Sequence, residues 1–181
     1  VNLRQTSSDR KMNIRFRVFN DGLGFRYEFP EQNNLRYFVV TDELTEFAMS
    51  GDHTAWWIPG DYDTQEYNYT ECRLSQIASK MPEALCGNDS QTPFSVNGVQ
   101  TSLQMRSDNG IYINIHEAAV LDFPTMNLNI INEESRMKNE ESIAASADSS
   151  FFTLHSSFSL KVHLTPDATG YVGRLQSPCY T

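Results

Sequence analysis

Short segments in which apolar and polar residues alternate make up most of the chain, and turn-forming residues separate many of them. Residues 14–19 alternate apolar and polar side chains, and residues 25–29 alternate again before the chain reaches Pro30. Asn20-Asp21-Gly22 lies between the two segments and is a strong turn signal. Because a period of two residues is that of a half-buried strand, this region predicts a pair of antiparallel strands.

A second hairpin is predicted over residues 101–115. Residues 101–106 and 111–115 flank Asn109-Gly110, a pair that permits the positive φ angles of tight hairpin turns. Alternation or β-rich composition predicts further strands at residues 35–40, 126–130 and 158–164, with a closing strand at residues 170–172.

Two stretches depart from the β pattern. Apolar residues recur at helical spacing near residues 71–85, which predicts one short helical excursion that Pro82 interrupts. These apolar residues are Leu74, Ile77, Ala78 and Met81. Residues 132–150 are acidic and rich in alanine and serine, which favours a surface loop or an exposed short helix. The whole pattern predicts an all-β fold, a single antiparallel β-sandwich domain spanning residues 1–181.

Composition narrows the classes of partner. The chain of 181 residues has a net charge of −9, whereas binding to nucleic acid or to an anionic membrane needs clustered lysine and arginine. No apolar run approaches the roughly 20 residues of a membrane span, and no secretory signal opens the sequence. Neutral ligands such as sugars are compatible with this charge.

The cysteines give no metal-binding pattern. Cys72, Cys86 and Cys179 are an odd number, and none of them forms a CxxC pair. A Cys72–Cys86 disulfide and three unpaired thiols both remain open.

Glu117 is the first candidate site residue. If the strand over residues 111–115 continues, Glu117 lies on the same face as the isoleucines, where a carboxylate needs a cation, hydrogen-bond donors or water. If the strand ends at His116, Glu117 is solvated instead. A calcium ion takes six to eight oxygen ligands, so a single glutamate would need other chain segments to complete a site.

Trp56 and Trp57 are the second candidate, because aromatic faces pack against sugar rings. Adjacent strand residues point to opposite faces, so at most one of the two can meet a ligand, and packing of both in the core is the alternative. The acidic residues nearby are predicted to be a solvated loop rather than a catalytic group: Asp52, Asp61, Asp63 and Glu66. The sequence identifies no facing pair of carboxylates of the kind that glycosidases use.

Three blocks of sequence, in order, resemble glycoside hydrolase family 97. They are Phe16–Phe29, which contains Phe-Arg-Val-Phe-Asn-Asp-Gly and Phe-Arg-Tyr, Thr54–Pro59 with Thr-Ala-Trp-Trp-Ile-Pro, and Ile113–Pro124 with His-Glu-Ala-Ala. The resemblance runs from Met12 to about Thr181. The family comprises α-glucosidases and α-galactosidases, most of them periplasmic, with an amino-terminal β-supersandwich similar to the galactose-mutarotase-like fold. A central (β/α)8 barrel carries the catalytic carboxylates.

The resemblance implies a non-catalytic domain that is truncated at its start and cut before the barrel. The barrel of the same parent chain and an α-linked oligosaccharide would be its partners, in a periplasmic or secreted enzyme. The position that matches the family's amino-terminal calcium ligand is Glu117, and His116 beside it is a candidate on the substrate side, as are Trp56 and Trp57. The alternatives are a free-standing carbohydrate-binding module that uses an exposed tryptophan and a purely structural sandwich.

Overall fold

Antiparallel strands joined by turns and loops make up most of the described chain. The computed structural model describes residues 1–87, 91–121, 123–132 and 158–181. Nine strand pairs in this part have a defined register, and all nine are antiparallel. Because the described residues contain several sheets and a single short α-helix, the predicted all-β class is confirmed.

The residues form two units. The first comprises Val1–Asp42, Ala118–Thr125 and Leu164–Thr181, and the second comprises Glu43–Glu117 and Met126–His163. The single domain predicted over residues 1–181 stays a prediction.

The first unit contains a four-stranded sheet in the order β1-β2-β3-β14 and a two-stranded ribbon, β13-β4. Their bounds are β1 Asn2–Arg4, β2 Lys11–Val18, β3 Leu23–Phe29, β4 Tyr37–Val40, β13 Gly173–Gln176 and β14 Cys179–Tyr180. The predicted first hairpin is therefore present as β2 and β3. Its turn is closed by the backbone N–H of Phe19, which donates to the carbonyl of Gly22 over 2.8 Å.

The β2–β3 hairpin has one apolar and one charged face. The register places Phe16 opposite Phe25 and Val18 opposite Leu23, so these four side chains share a face. We call them the apolar face of the hairpin, and all four are exposed. The opposite face carries ion pairs from Arg15 and Arg26 to the carboxylate of Glu28.

The second unit contains two four-stranded sheets, in the orders β10-β9-β6-β7 and β5-β12-β11-β8. Their bounds are β5 Glu46–Met49, β6 Thr54–Trp57, β7 Thr70–Arg73, β8 Gly98–Gln100, β9 Leu103–Arg106, β10 Tyr112–Ile115, β11 Met126–Asn132 and β12 Phe158–Leu164. Gly110 has a φ of 87° in the turn between β9 and β10, as the predicted Asn-Gly hairpin requires.

Alternate residues of these sheets form the core of the second unit. Trp57, Leu103, Met105, Val99, Leu128 and Leu160 are almost completely removed from solvent. The chain after β6 joins the second sheet directly, because Pro59 forms a β-bridge with Val99 of β8. The N–H of Gly60 also donates to the carbonyl of Gly98 over 2.8 Å.

The predicted helical excursion is present but begins later than the spacing indicates. Residues 70–73 belong to β7, a 3-10 turn spans Leu74–Gln76, and the helix α1 covers Ile77–Ala84. Proline lacks the N–H that would bond to the preceding turn, yet α1 continues through Pro82 because Ile77, Met81 and Ala84 are buried. Ala78 is exposed, so its place in the apolar pattern is wrong.

The remaining sequence predictions have separate outcomes. The closing strand at residues 170–172 is wrong, because Gly170 lies in a turn with a φ of 82° and β13 begins only at Gly173. All but the first residue of the loop or helix predicted over residues 132–150 lies outside the described residues. Cys72, Cys86 and Cys179 are all unpaired thiols. Within the described residues, no helix is long and apolar enough to cross a bilayer.

Candidate functional site

Glu117 lies just beyond β10, which ends at Ile115. The side chain is half-buried, although it is no longer part of the strand. Its Oε2 accepts a hydrogen bond from the backbone N–H of Met126 over 2.7 Å, at the start of β11. Of the two sequence alternatives, the strand does end early, but the carboxylate is held by a backbone donor rather than solvated.

The surroundings of Glu117 oppose its charged form. Burial raises the pKa of the Glu117 carboxyl, while the N–H of Met126 and the nearby His116 lower it in part. The described residues give Oε1 no hydrogen-bond donor, so one oxygen is fixed and the other is available. A hard cation would suit such an oxygen. No cluster of three or more potential metal-ligating side chains is found in the part of the chain that the structure describes.

His116 is exposed, and its Nδ1 lies 2.7 Å from the hydroxyl oxygen of Ser102. A serine and an imidazole in contact are two members of a nucleophilic triad, but the third member orients the imidazole. No carboxylate among the described residues forms a hydrogen bond with His116. The pair therefore has the geometry of a surface hydrogen bond and lacks the parts of an activated nucleophile.

The two tryptophans lie on opposite faces of β6. Trp57 is 0% exposed, and its Nε1 donates to the Cys72 sulfur over 3.2 Å inside the core. Trp56 points outward, and its Nε1 donates to Oε2 of Glu71 over 3.0 Å. Of the adjacent pair, only Trp56 is placed where a ligand could reach it.

Trp56 belongs to the solvent-facing side of the sheet β10-β9-β6-β7, which we call the outer face of the β6 sheet. Tyr112, which is 72% exposed, stacks against Trp56 with ring centroids 6.4 Å apart and planes inclined by 18°. The guanidinium of Arg106 lies 5.7 Å from the centre of the Trp56 ring. Tyr112 was not among the residues predicted from the sequence. Its alternation with Ile113 and Ile115 does indicate that it lies on the opposite, solvent-facing side of the strand.

Of the four acidic residues near β6, Asp63 and Glu66 are exposed as predicted, whereas Asp61 and Asp52 are held by hydrogen bonds. Asp61 is 6% exposed and accepts five hydrogen bonds, so the prediction of a solvated carboxylate is wrong for it. Asp52 accepts from both the backbone N–H and the hydroxyl of Ser75, at the start of the helical segment. Local hydrogen-bond donors explain the placement of Asp61 and Asp52.

The chain is similar to known glycoside hydrolases. A family model described as glycosyl-hydrolase 97 N-terminal matches residues 1–166. A glycoside hydrolase family 97 enzyme from Pseudoalteromonas sp. strain K8, solved in complex with acarbose, is 28% identical over 95% of this chain with a TM-score of 0.63. A variant of it in complex with panose is 29% identical over the same share, with a TM-score of 0.61. The chain covers 20% of the length of each of these two enzymes.

Proposed function

Because the chain belongs to the glycosyl-hydrolase 97 N-terminal family, we propose that it is the non-catalytic amino-terminal domain of an α-glycoside hydrolase. In this role it packs on a catalytic barrel within a longer polypeptide and lends one carboxylate, Glu117, to a calcium ion at the active site. The enzyme is an α-glucosidase or an α-galactosidase. Panose is an α-linked trisaccharide of glucose, so its presence in a relative favours an α-glucoside as substrate.

The placement of Glu117 carries the proposal. The N–H of Met126 fixes Oε2 at 2.7 Å, which orients the carboxylate before any ion arrives. The free Oε1 is the atom that would bind the cation. Bound calcium would supply positive charge that polarises and orients a substrate oxygen. Since calcium needs six to eight oxygens, the remaining ligands come from other segments of the parent enzyme.

The direction of the Glu117 pKa gives this role a pH dependence. Calcium binding requires the deprotonated carboxylate, and burial raises the pKa of this group. Protons therefore compete with calcium at a higher pH than they would at an ordinary exposed glutamate. The calcium affinity of the parent enzyme should fall as the pH drops through this raised pKa, and the fall should be smaller in Glu117→Gln.

The decisive experiment replaces Glu117 in a polypeptide that joins this chain to a family 97 catalytic barrel. Glu117→Gln should weaken calcium binding, measured by calorimetry, by at least about tenfold, and should raise by a similar factor the calcium concentration needed for half-maximal activity. Glu31→Gln, which alters an exposed glutamate of the first unit, is the matched control and should change neither value. Equal calcium affinity in the two variants would contradict the role of Glu117.

The chain by itself provides a second test. We expect it to release no sugar from a p-nitrophenyl α-glycoside and to bind calcium only with millimolar or weaker affinity, because one carboxylate is a small part of a calcium site. Steady hydrolysis by the purified chain would overturn the non-catalytic assignment.

A further inference from the structure

The outer face of the β6 sheet presents two rows of side chains across four adjacent strands. The register places one row across β10, β9, β6 and β7 as Asn114, Gln104, Trp56 and Glu71. The second row, in the same strand order, is Tyr112, Arg106, Thr54 and Arg73. The opposite face of these strands packs into the apolar core. The side chains of the two outer rows are therefore not needed for core packing.

The aromatic part of this face consists of Trp56 and the more exposed Tyr112. A hydrogen bond to Glu71 holds the Trp56 indole on the outer face of the β6 sheet. The indole is nearly parallel to the ring of Tyr112. Tyr112 in turn exposes most of its surface. A flat aromatic ring that is already supported on one side is suited to pack against the apolar C–H face of a pyranose ring.

The polar part supplies unused hydrogen-bonding groups. Gln104 and Asn114 are exposed, and neither side-chain amide bonds to another of the described residues. They occupy neighbouring positions in the row that contains Trp56. A primary amide offers two donors and one acceptor, which matches the hydroxyl groups of a sugar.

The charges of this face balance. Arg73 is paired with Asp108 over 2.6 Å, and the positive Arg106 is offset by the negative Glu71 on the same face. A phosphate or a polyanion would need an excess of positive charge. The face therefore suits a neutral, hydroxyl-rich ligand.

We propose that the outer face of the β6 sheet is a saccharide-binding surface, on which Tyr112 stacks against a sugar ring and Gln104 and Asn114 bind its hydroxyl groups. The α-linked glucan class of ligand rests on the proposed function, whereas the surface itself rests on the rings, the free amides and the charge balance. The role is to hold substrate chains on the accessory domain.

Calorimetric titration of the chain with maltotriose tests the proposal. Saturable binding is expected, and Tyr112→Ala should weaken it by about tenfold. Gln104→Ala, which removes an exposed amide from the same face and spares the core, should also weaken binding. Tyr37→Ala is the matched control, because Tyr37 is 76% exposed on β4 of the other unit, and it should leave the affinity unchanged.

Three results would contradict the proposal of a saccharide-binding surface. These are the absence of saturable binding, equal affinity in the wild type and Tyr112→Ala, and an equal loss in Tyr37→Ala. The Glu117→Gln chain, titrated with and without calcium, separates this proposal from the calcium role, since the surface should bind maltotriose equally in both conditions. If Glu117→Gln abolishes binding and Tyr112→Ala does not, the sugar lies near Glu117 and the outer face is not the site.

Discussion

Asp61 shows how a buried charge is accommodated in this fold. Its two oxygens accept from the backbone N–H groups of Asp63, Thr64 and Thr92 and from the hydroxyls of Tyr67 and Thr92, over 2.7–3.0 Å. Burial by itself would raise the pKa of the Asp61 carboxyl, but these donors together lower it to about 2. The carboxylate thus ties the loop after β6 to the segment that precedes β8.

Asp61→Asn should destabilise the chain in a pH-dependent way. Because the folded pKa lies below that of the unfolded chain, the ionised Asp61 stabilises the fold above about pH 4 and loses this effect as the pH falls toward about 2. We expect a loss of about 2 kcal/mol in the free energy of urea unfolding at neutral pH and little difference near pH 2.

Asp21→Asn serves as the control for Asp61, since Asp21 is exposed in the first unit and lies outside the Asp61 hydrogen-bond network. It should change the free energy of unfolding by less than about 0.5 kcal/mol at neutral pH. Equal losses in the two variants, or a loss in Asp61→Asn that does not depend on pH, would show that the hydrogen-bonded charge is not the cause.

Single residues also mark where sequence reasoning reaches its limit. The alternation around Ile113 predicts that Glu117 is on or just beyond a strand, but not that the N–H of Met126 meets its carboxylate. That contact joins residues nine positions apart through a loop. The burial of Asp61 likewise depends on Thr92, which is 31 residues away. Contacts of this kind follow from tertiary packing and leave no periodic signal in the sequence.

At the scale of elements, the connection between β6 and β8 depends on two glycines and one ring. A Cβ added to Gly98 would lie 2.6 Å from the Phe94 ring, and its three nearest atoms would all belong to that ring. A Cβ on Gly60 would also lie under 3.0 Å from that ring, and in addition 2.8 Å from the backbone carbon of Gly98. The close backbone approach of the two segments therefore requires the absence of side chains.

A double-mutant cycle separates these two clashes. Gly98→Ala and Gly60→Ala should each lower the free energy of unfolding by about 1–3 kcal/mol, because overpacking displaces neighbouring atoms. Adding Phe94→Ala should recover most of the effect of Gly98→Ala but less of the effect of Gly60→Ala, whose backbone clash remains. Urea unfolding of the single and double variants measures both couplings, and equal recovery at the two glycines would contradict this account.

An element could be predicted when its sequence signal was local, and could not when its pairing joined distant segments of the chain. The hairpins β2–β3 and β9–β10 are encoded by adjacent alternating segments and a local turn, so their pairing could be predicted from sequence. The pairing of β3 with β14 joins opposite ends of the chain and has no such signal. The strand predicted at residues 170–172 failed because the turn-forming Gly170 lies within it.

At the scale of the whole molecule, the apolar face of the hairpin exposes four large apolar side chains side by side. Val18 and Leu23 are 77% and 60% exposed although they are directly opposite each other, and Phe16 and Phe25 extend the same face. The charged residues of the hairpin lie on its other side. A contiguous exposed apolar face of this kind marks an interaction surface or a liability to association.

The chain in isolation should therefore self-associate as its concentration rises. Val18→Thr combined with Leu23→Thr should shift the sedimentation profile toward monomer, while each change alters the free energy of unfolding by no more than about 0.5 kcal/mol because the side chains are exposed. The control is a double variant of the charged face, Arg15→Ser with Arg26→Ser. It should leave the sedimentation profile unchanged. A wild-type chain that is monomeric at all concentrations would contradict this expectation.

Trp56 and Trp57 are identical neighbours on one strand, and the core encloses only the second of them. Natural selection would therefore act on the two positions for different reasons. Substitution of Trp57 is limited by folding in every homologous sequence, because its side chain is completely buried. Trp56 is less constrained by packing, because its ring lies on the outer face and its indole N–H bonds to Glu71, so a homologous sequence can lose the first tryptophan and keep the second.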